Sequence, residues 1–329
     1  MSTGFEHGHA VLVGAGADLP NTVDDAKGLA GILTDPGRCA FPAAQVVLLT
    51  GQAATREAIL AALDGLVERA AEDATAVIFF SGHGYRVQST TGEAYYLMPY
   101  GYELTELYKT AISDRDLADR LGQLKAGRLL LLLDCCHAGG LDETKDPLPA
   151  GLTVAKAPLP PGAGAMFQAG RGRVVIASSR GDEKSFAGRP YSAFTLALIE
   201  ALSGQGVAKK DGYVRVTDVA LYTGEMVPRR TKDRQHPILN FTEADNFVVA
   251  YYAGGETQPK GLPFEVEPEI EDTPGQFAGI NTQGGAFVRG NVNTGGGDFV
   301  GRDKIVHGDE VRGDKIGGDK IGGDSIDRT

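Results

Sequence analysis

A histidine and a cysteine each follow an apolar run that is typical of a buried strand. Residues 77–80 are Val-Ile-Phe-Phe and lead into Ser-Gly-His-Gly around His83, while residues 129–133 are all Leu and lead into Asp-Cys-Cys-His around Cys136. Such runs are typical of parallel strands buried on both faces, and α/β proteins place reactive groups at the carboxyl ends of these strands. We therefore expect the imidazole of His83 and the thiol of Cys136 to meet at one edge of a sheet.

A thiol beside an imidazole can act as a nucleophile with its general base. A free thiol with a pKa of about 8.5 is mostly protonated at neutral pH, so Cys136 needs His83 to take its proton before it attacks a carbonyl carbon. Adjacent side chains of an extended segment point to opposite faces, so we expect Cys135 to point into the sheet as a structural residue. A metal site formed by Cys135, Cys136 and His137 is the alternative, but adjacent ligands lack the usual spacing of a zinc site. We predict no metal.

The elements that must position these residues alternate along the chain. The apolar pattern predicts strands at residues 9–14, 45–49, 75–80, 129–133 and 173–178. It predicts helices at residues 22–33, 55–71, 113–124, 191–202 and 216–226. The helix at 191–202 is expected to be amphipathic. We expect residues 247–252 to close the sheet. This alternation predicts an α/β fold, with a mostly parallel sheet flanked by helices on both faces.

Composition and charge exclude several classes of partner. The chain has 329 residues, a net charge of −11 and a pI near 5.1, and no stripe of Lys and Arg, so we expect no nucleic-acid partner. No stretch approaches the roughly 18 apolar residues that span a bilayer, and the first residues lack the pattern of a signal peptide. The cysteine count is odd, which does not fit a secreted disulfide framework. We expect a cytoplasmic protein with reduced thiols and no membrane partner, and Cys39 as a small buried hydrophobe.

The order of strand, Ser-Gly-His-Gly, strand and Asp-x-Cys-His-x-Gly resembles the caspase-like cysteine peptidases, most closely the metacaspase and bacterial caspase-like branch. The resemblance covers residues 9–252 and includes Asp24-Asp25-Ala26 and the segment Gln235-His236-Pro237. It implies a caspase-like fold and a cysteine endopeptidase with catalytic His83 and Cys136. It also implies that the backbone amides of Gly84 and Cys136 hold the oxyanion.

The same resemblance implies a preference for substrates with Arg or Lys before the cut. Asp134 stands where metacaspases have an acid that receives a basic side chain, and the loop of residues 17–21 lacks the cation found in caspases that cut after Asp. A carboxylate in a desolvated pocket favours such a cation through charge-assisted hydrogen bonds. Asp25 and Asp182 complete the predicted substrate-binding acids, together with Glu183. The alternatives are that Asp25 pins its helix and that Asp182 and Glu183 belong to a solvated charged loop.

Residues 141–172 interrupt the alternation and are rich in Pro and Gly, which predicts an irregular surface loop. The loop follows the nucleophile, where caspases carry their inter-subunit linker. We therefore expect self-cleavage near one of the basic residues in this loop or directly after it, namely Lys145, Lys156, Arg171 or Arg173.

The C-terminal part of the chain has a different composition. Residues 1–253 form the predicted peptidase domain, 254–275 an acidic linker, and 276–329 a Gly-rich segment in which six aspartates are each followed two residues later by Val or Ile. This repeat is typical of a short β-solenoid or β-prism element, which is too short to bury its faces alone. We expect it to associate with other copies, or with a partner that carries a similar Gly-Asp repeat. A disordered tail is the alternative. We predict no cofactor, with calcium binding by the aspartates left open.

Two functions remain open at this point. The first is a regulated cysteine endopeptidase acting on partner proteins, of a type whose bacterial relatives act in defence or cell death. The second is a catalytically inactive caspase-like scaffold that acts through its C-terminal repeat. The intact His83 and Cys136 favour the first.

Overall fold

The computed structural model describes residues 5–89, 92–135, 153–156, 167, 172–180, 183, 185–242 and 244–252. All of them belong to the first of the two units of the chain, Met1–Glu269. The predictions made above for Cys136, His137, Lys145, Arg171, Asp182, the linker and the repeat of residues 276–329 lie outside the described residues.

The described elements alternate as the sequence predicts. The strands are β1 (Gly8–Gly14), β2 (Val46–Thr50), β3 (Thr75–Ser89), β4 (Gly92–Met98), β5 (Ile112–Ser113), β6 (Arg128–Cys135), β7 (Thr153–Lys156), β8 (Arg173–Ala177), β9 (Tyr213–Arg215), β10 (Ile238–Thr242) and β11 (Val248–Tyr251). The α-helices are α1 (Asn21–Thr34), α2 (Arg56–Arg69), α3 (Leu107–Thr110), α4 (Asp114–Gln123), α5 (Ala193–Leu202) and α6 (Val216–Arg230). Short 3₁₀ helices cover Ala43–Gln45, Gly51–Ala53 and Leu104–Glu106.

The main sheet has the order β10-β8-β6-β3-β1-β2. Adjacent strands from β8 to β2 pair in parallel, and β10 pairs antiparallel with β8 at one edge of the sheet. The prediction of a mostly parallel sheet is therefore confirmed. Parallel strands need crossover helices, and these helices cover both faces of the sheet.

Both faces of the sheet are buried because the central strands carry apolar residues at every position. Val77 and Phe79 of β3 pack with α1, α5 and α6 in one cluster, whereas Ile78 and Phe80 pack with α2 and α4 in the other. Consecutive residues of a strand point to opposite faces, so one apolar run supplies two cores. Cys39 is fully buried in the first cluster, as predicted.

Strand β3 is longer than the sequence predicts. We expected it to end at Phe80, but it continues past His83 to Ser89 and forms a hairpin with β4. Beyond Gly84 its residues alternate, with Tyr85 and Val87 buried and Arg86 and Gln88 exposed. That alternation is typical of a half-covered antiparallel strand, and a search for continuous apolar runs misses it.

Two predictions for the second half of the domain are wrong. Residues 247–252 do not close the main sheet, because β11 pairs with β9 in a separate two-stranded sheet and places Val249 and Tyr252 in the core. The edge strand is β10, which the sequence analysis missed. Helix α5 is not amphipathic, since every residue from Phe194 to Leu202 is buried and most of its apolar residues share one cluster with the sheet, α1 and α6.

The irregular loop predicted for residues 141–172 contains at least one strand. Residues Thr153–Lys156 form β7, which pairs antiparallel with the extension of β3, so that Lys156 lies opposite Tyr85. In the part of the chain that the structure describes, no helix combines the length and hydrophobicity needed to cross a membrane.

Candidate active site

His83 lies where β3 changes its partners. The parallel pairing with β1 reaches Ser81 and that with β6 reaches Gly82, and from His83 onward β3 pairs antiparallel with β4. The imidazole is therefore fixed at the carboxyl edge of the parallel sheet. A Cβ at Gly82 would lie 2.8 Å from the ring of Phe80 and 3.0 Å from Ala15, so internal packing requires this glycine.

Cys135, the residue before Cys136 in the sequence, ends the described part of this segment. Cys135 is the last residue of β6 and is the register partner of Gly82. Its side chain is buried in the cluster formed with α2 and α4, as expected for a structural cysteine. Gly84 follows His83 in β3 and lies opposite Leu97, and its assignment to an oxyanion hole stays a prediction.

An acid that the sequence analysis did not single out contacts the histidine. Nε2 of His83 lies 2.8 Å from Oδ2 of Asp18, and the exposed fractions of the two side chains are 4% and 59%. Asp18 lies in the loop between β1 and α1, which the sequence analysis considered only for its lack of a cation. The sequence offered one signal for this contact, namely a carboxylate in the loop after the first strand.

Asp25 and Asp134 form a buried acid pair. Asp134 accepts hydrogen bonds from the hydroxyls of Ser185, over 2.9 Å, and Ser192, over 2.6 Å. Asp25 accepts from the backbone amide of Ser192, over 2.8 Å, and from the hydroxyl of Ser81, over 3.2 Å. The structure thus brings two of the predicted substrate-binding acids together, and Asp25 also pins α1 to β3 and to the beginning of α5.

Burial and mutual repulsion control the protonation of this pair. Both side chains have an exposed fraction of 0%. Loss of hydration, and then the charge of Asp134, raise the pKa of Asp25 well above its ordinary value. Among the described residues, the hydrogen-bond partners of the two carboxylates are hydroxyls and one backbone amide, with no Lys or Arg. A cation that reached the pair would therefore favour its ionised form.

Glu183 does not belong to this pair. Its Oε2 accepts the backbone N–H of His236 over 2.6 Å, and its Oε1 lies 2.7 Å from Nδ1 of the same residue. The neighbouring Gln235 donates to the carbonyl of Ser178 over 2.9 Å and accepts from the amide of Phe186 over 2.8 Å. The Gln-His-Pro segment therefore anchors the chain that follows β8. The carboxylate of Glu183 is bound to His236, and a contribution of this acid to substrate binding stays a prediction.

The described residues contain no group of three or more His, Cys, Asp or Glu side chains placed to hold a metal ion. The chemistry of the described part of the site rests on an imidazole, a carboxylate beside it and a buried acid pair.

A comparison with protein-family models identifies the family of the chain. The family model described as the caspase domain matches residues 7–248, which is most of the chain. The chain therefore belongs to the caspase-domain family of cysteine peptidases. Among solved structures, it is similar to protein GSU0716 from Geobacter sulfurreducens, with 17% identity, a TM-score of 0.46, and 71% of this chain and 92% of that chain covered. No curated protein matches at a significant level.

Proposed function

We propose that this protein is a cysteine endopeptidase that cleaves partner proteins after Arg or Lys, with Cys136 as nucleophile and His83 as base. One observation carries the proposal. Strands β3 and β6 pair in parallel up to Gly82 and Cys135, and the next residues in the sequence are His83 and Cys136. Neighbouring strands lie about 4.8 Å apart, so the register partners that precede the base and the proposed nucleophile are adjacent at one edge of the sheet.

The chemistry follows from these roles. His83 takes the proton of the Cys136 thiol, and the thiolate attacks the carbonyl carbon of the substrate. Backbone amides of Gly84 and Cys136 stabilise the oxyanion. The C–N bond then breaks, and the imidazolium of His83 gives its proton to the leaving amine. Water, deprotonated by His83, hydrolyses the thioester and restores the thiol.

The acid pair supplies the preference for a basic residue. Asp25 and Asp134 lie at the same sheet edge, since Ser81 of β3 donates to Asp25 and Asp134 is the register partner of Ser81. A guanidinium or ammonium group that reached them would supply the positive charge that these buried acids lack. A neutral or acidic side chain would leave them uncompensated.

Covalent labelling tests the proposal. A peptide ending in an arginyl acyloxymethyl ketone is expected to label Cys136 of the wild type, as located by peptide mass spectrometry. His83→Ala should abolish rapid labelling, whereas the matched variant Cys135→Ala should retain it, because Cys135 points into the core. A glutamyl ketone is the control for specificity. Equal labelling of wild type and His83→Ala would contradict the dyad and would favour the inactive scaffold.

Regulation is the second part of the proposal. The Gly-Asp repeat of residues 276–329 associates with other copies or with a partner that carries a similar repeat, and this association concentrates the peptidase domains. Self-cleavage within residues 141–172 accompanies activation, in a cytoplasmic programme of bacterial defence or cell death. Light scattering of the full-length chain and of a chain ending at Gly275 tests the association. Equal monomeric masses would contradict it.

A further inference from the structure

The turn between β1 and α1 presents Asp18 to His83. The amide of Leu19 donates to the carbonyl of Gly16 over 3.0 Å, which closes a turn around Ala17 and Asp18. Ala17 has a φ of 59°, in the left-handed region that costs a residue with a Cβ of the order of 1 kcal/mol. Strain of this kind persists only where the surrounding structure enforces it, and it is common at functional sites.

Thr22 holds this turn in place. Its hydroxyl accepts from the amide of Gly16 over 2.8 Å and donates to the carbonyl of Leu19 over 2.8 Å. Thr22 is fully buried in the first turn of α1, three residues before Asp25. The exposed Asp18 therefore stands on a backbone that is hydrogen-bonded on both sides, and its position beside His83 does not depend on a long flexible side chain.

The contact determines which ring nitrogen of His83 carries a proton. An ionised carboxylate can only accept, so Nε2 donates to Oδ2 of Asp18 across their 2.8 Å separation. In the neutral ring, Nδ1 is then the basic nitrogen. When the ring is protonated, the carboxylate stabilises the added charge, as in other Cys-His or Ser-His sites where an acid orients the imidazole.

We propose that Asp18 is a positioning residue for His83, which orients the imidazole and stabilises its protonated form, so that the Cys136 thiolate and the imidazolium coexist at neutral pH. The inference rests on the function proposed above and extends the dyad to a third residue. Asp18 touches neither the nucleophile nor the substrate in this role and acts through His83 alone.

The other titratable groups near this contact do not compete with it. Tyr85 packs edge-on against His83, with 6.1 Å between ring centroids, and Tyr102 packs against Tyr85 at 6.3 Å. Burial raises the pKa of both phenols, and the charge of Asp18 contributes to each shift. Both therefore stay neutral through the pH range in which an imidazole titrates.

The rate of alkylation of Cys136 by iodoacetamide, followed by peptide mass spectrometry between pH 5 and 10, tests this role without a substrate. Asp18→Asn is expected to lower the rate about tenfold near pH 7, because less thiolate is present, and to match the wild type at pH 10, where the thiol ionises without help. Asp18→Glu should restore part of the rate. Asp24→Asn, an exposed acid in α1, is the matched control and should leave the profile unchanged.

A double variant separates positioning from general damage. If Asp18 acts through His83, Asp18→Asn should have no further effect in the His83→Ala background. A further loss there, or a loss of equal size at every pH, would overturn the inference. So would an Asp18→Asn profile identical to the wild type while His83→Ala is slow. If His83→Ala itself matches the wild type, the proposed dyad fails, and the inference fails with it.

Discussion

The hydroxyl of Ser192 donates to Oδ2 of Asp134 over 2.6 Å. The same oxygen of Ser192 accepts the amide of Thr195 over 2.9 Å and thereby caps the beginning of α5. A helix N-terminus carries partial positive charge, and here it lies beside two buried carboxylates. One serine therefore joins helix formation to the stability of the acid pair.

Ser192→Ala should destabilise the domain more than loss of a helix cap does. Removal of a cap costs about 1 kcal/mol, and loss of a partner of a buried carboxylate adds about 1–3 kcal/mol. Thr55→Ala, which removes the side chain that caps α2 at the amide of Ala58, is the matched control and should cost only the first amount. Urea denaturation measures both free energies of unfolding. Equal losses would show that Asp134 does not depend on the serine hydroxyl.

Asp25→Asn should change how stability depends on pH. The pKa of Asp25 is raised by burial and by the charge of Asp134, so the folded state keeps a proton that the unfolded chain has released. The contribution of Asp25 to the free energy of unfolding therefore falls as pH rises above about 4, by up to about 1.4 kcal/mol per pH unit, until the raised pKa is passed.

The side-chain amide introduced by Asp25→Asn does not titrate in this range. The variant should therefore become more stable relative to the wild type as pH rises from 4 to 8. Urea denaturation at several pH values checks the difference, and Asp24→Asn at the exposed neighbouring position is the control. A difference that stays constant with pH, or that shrinks, would contradict the raised pKa.

The sequence predicts the central sheet well because its signal is local. Residues 129–133 are apolar at every position, and their strand is found with its bounds extended to Arg128–Cys135. The predicted helix at 113–124 is likewise found, because Ser113 provides a cap that can be recognised from nearby residues. Patterns that depend on distant partners were missed, such as strand β10, which pairs antiparallel with β8.

The candidate site could be predicted only in part, for the same reason. His83 is marked by the glycines around it, whereas Asp18 is one acid in a loop and becomes significant only when the turn at Gly16 brings it to the imidazole. The partner of Glu183 could not be predicted from the sequence either. This acid lies next to Asp182 in an acidic pair of residues, but its carboxylate is bound to His236, a contact between distant positions that spacing does not indicate.

Binding of a cationic ligand should release protons. A guanidinium or amidinium group near Asp25 and Asp134 favours their ionised forms, so Asp25, with its raised pKa, should lose a proton when the ligand binds. Calorimetry of benzamidine binding to Cys136→Ala at pH 7, in phosphate and in Tris, measures this release from the difference in apparent enthalpy. Asp25→Asn should bind more weakly and release fewer protons. Absence of binding, or binding without release, would contradict the role of the acid pair in recognition.

Self-cleavage should occur after Lys145 rather than after the other basic residues near the loop. Arg173 begins β8, has an exposed fraction of 5%, and donates from Nη2 to the carbonyl of Leu124 over 2.8 Å. Because a peptidase binds its substrate in extended form, cleavage there requires β8 to leave the sheet between β6 and β10.

Two further sites are disfavoured on the same ground. Arg171 lies two residues before Arg173, so the residues after that cut are already part of the sheet. Lys156 pairs with Tyr85 in β7. Intact-mass analysis under activating conditions should therefore show a cut after Lys145 in the wild type and in Arg171→Gln, and none in Cys136→Ala or Lys145→Gln. Fragments that end at Lys156, Arg171 or Arg173 would mean that the strands around the linker open before the chain is cut.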